Sequence, residues 1–109
     1  MPNDQYEKNN IGEETTVNKI NNLNEITLKD TVLLMCSADY KDRFLAEYIQ
    51  LAIRYYSLRK MIVKYEAGTL EFSPTCDIAI LRVQLDNMVN YMKALEVRAK
   101  IEKIELPKM

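Results

Sequence analysis

Tyrosine beside positive charge is the pairing in this chain that can do chemistry. Tyr40, Lys41 and Arg43 fall together, and Arg54, Tyr56, Arg59 and Lys60 form a second group with Tyr55 among them. Arginine presents a planar fork to phosphate oxygens, lysine a compact charge, and tyrosine a flat face with a polar rim. A small phosphorylated ligand, with a base to stack and a phosphate to hold, is what such residues suit. The competing reading is structural: the cations are a solvated helix face partnered by Asp42 and Glu47, and Tyr55 belongs to a packing seam. If copies of the chain assemble, these few basic groups converge from several of them, and a dianionic ligand then needs no large net charge.

Other chemistries lack their residues. Histidine is absent, which removes the commonest general base and the commonest transition-metal ligand together. Cys36 and Cys76 have no metal-type ligands beside them and read as small packing residues, and the carboxylates Glu47, Glu66, Glu71 and Asp77 are scattered without a repeating pair. Only Gly12 and Gly68 are glycines, so no phosphate-cradling loop can form. No catalytic residue, no metal and no cofactor is expected, and enzyme activity ranks last among the readings.

The elements that must carry the tyrosines and cations follow from spacing. From Tyr40 onward, Phe44, Tyr48, Leu51, Tyr55, Leu58, Ile62 and Tyr65 succeed one another at alternating steps of 4 and 3. That is a heptad seam on a helix. Asp39 and Asp42 offer an N-terminal cap and an acidic first turn, Gly68 a left-handed stop, and Pro74 a barrier to continuation. Ser73 or Thr75 is expected to cap a second helix, whose seam Ile78, Leu81, Leu85, Met88, Met92, Leu95 and Ala99 steps by 3 and 4. The short connection makes the two helices antiparallel. Thr27 with Asp30 predicts a short helix over 28–36 before them.

Both long helices carry a second apolar line: Leu45, Ile49, Ala52, Ile53, Tyr56 and Val63 on the first, and Ile80, Val83, Val89, Ala94, Val97, Ile101 and Ile104 on the second. A two-helix hairpin cannot bury stripes this wide, so burial against another copy is expected, with the short helix over part of that face as the alternative. Asn87 and Asn90 interrupt the second line, where a polar residue commonly sets register or oligomer number. The predicted fold class is all-α: an antiparallel, coiled-coil-like two-helix hairpin with a short N-terminal helix, completed as a homo-oligomer. Residues 1–27 read as a flexible polar arm and 28–109 as the hairpin domain. Seven asparagines fall in the first 24 residues, and residues 1–28 hold a net charge of −3.

At 109 residues with 48% hydrophobic side chains and a net charge of −1, the chain has room for one core and no broad attraction for polyanions. Nonspecific nucleic-acid binding is not expected, nor is a membrane, since no apolar run approaches a bilayer span. Two cysteines and no basic-then-apolar leader point to a reducing cytoplasm.

The stretch Asp39 to Tyr48 (DYKDRFLAEY), the turn Tyr65 to Phe72 (YEAGTLEF), Pro74-Thr75-Cys76 and the segment Leu95 to Glu102 (LEVRAKIE) resemble a family of small proteins. These are carried by bacteriophages and prophages of gut bacteria and are named after a crAss-like phage gene product; the resemblance covers about residues 39–106. It brings no catalytic residues with it and implies a phage accessory protein acting in the host bacterial cytoplasm. By analogy with small phage proteins of this size, the expected role is noncatalytic counter-defence, with two mechanisms open. An oligomer of hairpins can sequester a cyclic nucleotide immune signal, using Arg54, Tyr56, Arg59 and Lys60 or Tyr40, Lys41 and Arg43. Alternatively, an apolar strip or the acidic arm can block a Cas nuclease or another immune protein, as anti-CRISPR proteins do. A phage structural or regulatory adaptor is the further alternative.

Overall fold

Thr27 donates its backbone N–H to Asp30 Oδ2 at 2.9 Å, closing a tight turn on itself. The computed structural model describes residues 25–108. A 3₁₀ turn, Leu28–Thr31, runs into a one-turn helix α1, Val32–Met35; two long helices follow, α2 (Tyr40–Ala67) and α3 (Ile78–Glu102). No β-strand element occurs among the described residues. The expected arm at 1–27 lies outside the described residues except for its last three, of which Ile26 is buried in the core.

Helix ends follow local chemistry. At the start of α2, the Asp39 carboxylate accepts the Lys41 backbone N–H at 2.9 Å, satisfying one of the orphan donors of the first turn. At its end Gly68 takes φ +76, the left-handed conformation that glycine adopts without a Cβ penalty, and its N–H returns to the Lys64 and Tyr65 carbonyls. The second cap differs from expectation. Asp77, rather than Ser73 or Thr75, accepts the Ala79 N–H at 2.9 Å. Pro74 disfavours helical backbone at Ser73, and bends continue to Cys76 before the helix turns in.

The two long helices run antiparallel, as a ladder of cross-hairpin contacts records: Tyr40 to Glu102, Tyr48 to Glu96, Glu47 to Tyr91 and Glu66 to Arg82. Their predicted seams meet. Phe44, Tyr48 and Ile62 of α2 and Met88, Met92, Leu95 and Ala99 of α3 are buried, while Tyr65 at the far end of the seam is exposed.

One core cluster joins Ile26, Phe44, Tyr48, Ile49 and Ala52 to Met92, Leu95 and Ala99. Ile49 and Ala52 belong to the second apolar line of α2, and both are fully buried because the N-terminal segment lies over them. Thr31 pins that segment. Completely buried, its hydroxyl donates to the Leu28 carbonyl at 2.6 Å and accepts from Gln50 Nε2 at 2.8 Å, so no polar atom is stranded. On the corresponding line of α3, Ile80, Val83, Val97 and Ile101 are all exposed, with no described element over them, while Ile104 at its end packs against the core.

Candidate functional site

Helical geometry decides which cations can act together. At about 100° per residue, Arg54, Ser57, Leu58, Met61 and Lys64 fall on one side of α2, while Arg59 points nearly the opposite way. That side overlooks an open trough of about 640 Å³ between the N-terminal turn, α2, the connecting loop and α3. Its floor is apolar, with Leu28, Ile53, Leu58, Met61, Leu70 and Met88. Arg54, Lys60 and Lys64 stand around it with Ser57 and Gln84, and no carboxylate is among the lining residues. Phe72, 58% exposed, contributes an aromatic ring from the loop.

The arrangement suits a ligand with one flat or apolar part and one anionic part. Ligand clefts span a few hundred to about 1,000 Å³ and pair apolar walls with a few placed polar groups; this trough matches them in volume and lining chemistry but is more open to solvent. Three cations with no carboxylate among the described lining residues give the trough a positive rim where a phosphate would sit.

Two of the seven sequence-derived candidates, Arg54 and Lys60, come together here. Tyr56 is half-buried, its ring edge-on to Tyr55 with centroids 4.9 Å apart, and neither it nor Arg59 lines the trough. Lys64 and Phe72 complete the site without having been singled out from sequence. The signal for Lys64 was its spacing of ten from Arg54, about 2.8 helical turns, which leaves the two about 80° apart on the same side of α2; grouping cations by neighbourhood along the chain passed over it.

Tyr40 and Arg43 are engaged elsewhere, and with Lys41 they sit at the other end of the hairpin, about 20 Å along α2 from Arg54 at 1.5 Å per residue. Tyr40 donates its hydroxyl to Glu102 Oε1 at 2.8 Å and accepts from the Arg98 guanidinium. Arg98 also pairs with Glu102 at 3.2 Å and lies 4.8 Å over the Phe44 ring. Hydrogen bonding to Glu102 is the leading cause that raises the Tyr40 phenol above its ordinary pKa, and the same bond holds the Glu102 carboxyl below its own. Arg43 Nη1 donates to the Ser37 carbonyl at 2.8 Å, tying α2 to the segment before it. These contacts clasp the ends of the hairpin. Lys41 is exposed beside them.

A second cavity of about 560 Å³ lies where the chain leaves α3, but its Lys100, Lys103 and Lys108 share the lining with Glu96 and Glu105. Charges of both signs make it a weaker anion site than the trough.

A family model described as Sequestin matches residues 38–101, more than half of the chain. The chain belongs to the Sequestin family. The Sequestin match takes in all of α2, the connection and nearly all of α3, and so every trough residue except Leu28. Neither a curated protein nor a solved structure matches the chain. Among the described residues, no helix is long and apolar enough to cross a membrane.

Proposed function

We propose that this chain is a phage-carried, noncatalytic counter-defence protein that sequesters a small phosphorylated immune signal, a cyclic nucleotide, in the trough between α2, α3 and their connection. The observation that carries the proposal is the set of three cations, Arg54, Lys60 and Lys64, around an apolar floor with no carboxylate among them. Guanidinium and ammonium groups take the phosphate; Phe72 and the methionine-lined floor take the base. Sequestration needs affinity and copy number, not bond-making, which fits a chain without histidine. The family name, Sequestin, supports a sequestering role, and the host bacterial cytoplasm is where such a signal would be met.

The same cations serve a nuclease-blocking protein less well. An anti-CRISPR-type mimic of nucleic acid presents negative charge, whereas the exposed groove here is positive.

Calorimetry of the full chain against a panel of 3′,5′-cyclic mononucleotides and cyclic dinucleotides tests the proposal. At least one should bind at micromolar concentration, and Arg54→Ala or Lys64→Ala should each weaken it by about tenfold, as expected for loss of one charge-assisted contact. Absence of heat with every member at tens of micromolar overturns it.

A further inference from the structure

α3 carries two seams. One, from Ile78 to Ala99, closes the hairpin against α2. The other steps by 3 and 4 through Ile80, Val83, Asn87, Asn90, Ala94, Val97 and Ile101, and every one of these residues is exposed. At about 100° per residue the seams lie about 150° apart around the helix, so the second faces away from α2. Ile80 is 60%, Val83 59% and Ile101 74% exposed, an apolar line that no described part of the chain covers. A repeat of 3.5 residues fits one kind of occupant, a second helix with the same repeat, because only that keeps knobs in holes along the whole contact.

We propose that this face is closed by the same face of a second copy of the chain, the two α3 helices running antiparallel about a two-fold axis between Asn87 and Asn90. The asparagines fix the register. Setting Asn87 against the partner's Asn90 lets amide meet amide, and it places Ile80 against the partner's Val97 and Val83 against the partner's Ala94. Symmetry repeats each contact. Sliding by one heptad in either direction sets Asn87 against a valine and leaves its amide without a partner, at the cost that a stranded polar group carries.

Charge supports the same register independently. On the flank of the seam, Asp86 comes opposite the partner's Lys93, and by symmetry Lys93 opposite the partner's Asp86. Neither residue forms an ion pair within its own chain among the described residues. A parallel pairing would instead bring Lys93 towards the partner's Arg98, like charge against like. The face is thus complementary to itself in one orientation. On the other flank Gln84, a rim residue of the trough, comes opposite the partner's Tyr91, so the second copy adds an aromatic ring at the trough's edge. The assembly face does not depend on the sequestering reading, and its test needs no ligand.

Sedimentation equilibrium on the full chain decides it. The expected mass is twice that of one chain, or an even multiple. Val83→Glu combined with Val97→Glu should at least halve that mass while the helical circular dichroism stays. Asp86→Lys and Lys93→Asp, both at exposed positions, should each raise the dissociation constant about tenfold, and the two together should restore it. A monomeric full chain overturns the proposal, including the case where removing residues 1–24 lets it dimerise and so shows that segment to be the cover. An oligomer indifferent to the glutamates overturns it also, as does a charge swap that fails to rescue.

Discussion

The hydroxyl of Tyr48 crosses the hairpin to donate to Glu96 Oε2 at 2.8 Å, from a ring that is 6% exposed. A buried aromatic seam residue therefore ends in a polar tip at the surface of α3. Burial first, and then the bond to Glu96, raises the phenol above its ordinary pKa. Removing only the hydroxyl, as in Tyr48→Phe, should cost about 1.5–3 kcal/mol in urea unfolding, the worth of one hydrogen bond to a charged acceptor. Glu96→Gln should cost less, because the amide oxygen can still accept. The double variant should lose less than the sum of the two.

The Tyr40–Glu102 bond predicts a pH dependence at both ends. Glu102 has a lowered pKa in the folded chain, so its contribution is complete above the unfolded carboxyl value and is lost as pH falls through the folded one. Tyr40 has a raised pKa, so its contribution is complete below the unfolded phenol value and is lost as pH rises through the folded one. Chemical denaturation from pH 3 to 11 should show both declines, one below the ordinary glutamate value of about 4.3 and one above the ordinary phenol value of about 10. Tyr40→Phe should reduce the acid decline, leaving the part that Arg98 supplies, and reduce the alkaline one, leaving the part that Tyr48 supplies.

Two isoleucines separate core from face. Ile49 is fully buried and Ile101 is 74% exposed. Ile49→Ala should destabilise by about 2–5 kcal/mol through lost burial and the cavity left behind. Ile101→Ala should stay within about 0.5 kcal/mol when unfolding is followed on dilute protein.

Gly68 stands at φ +76 with open space where a Cβ would project, so only backbone conformation opposes substitution there. Gly68→Ala should cost about 1–2 kcal/mol in urea unfolding, with no steric clash added. Gly68→Asn, which tolerates the left-handed region better, should recover part of that loss.

Legibility in the sequence divided along the range of the interactions. The seams of α2 and α3, the Asp39 cap and the Gly68 stop were readable because each depends on residues within a turn or two. Which of two cover arrangements protects Ile49 and Ala52 was not readable, since it rests on the Thr31–Gln50 hydrogen bond, formed between separate elements. Tyr40 and Arg54 looked alike as aromatic-rich basic groups. What separates them is Glu102, brought to Tyr40 by the antiparallel return of the chain, while nothing acidic is brought to Arg54 among the trough residues. Phe72 was invisible as a site residue for the same reason: a loop side chain acquires a role only once both helices stand beside it.

The central claim is that the trough lined by Arg54, Lys60 and Lys64 is where an anionic ligand binds. Its most direct test is amide and side-chain NMR of the labelled full chain during titration with the cyclic nucleotide that gives the strongest calorimetric signal. Resonances of Ser57, Lys64, Phe72 and Gln84 should move together and saturate, with those of Lys41 and Arg43 unmoved. Shifts centred on Lys41 and Arg43, or on Lys100 and Lys103, would contradict the account, and so would a titration that moves no resonance at all.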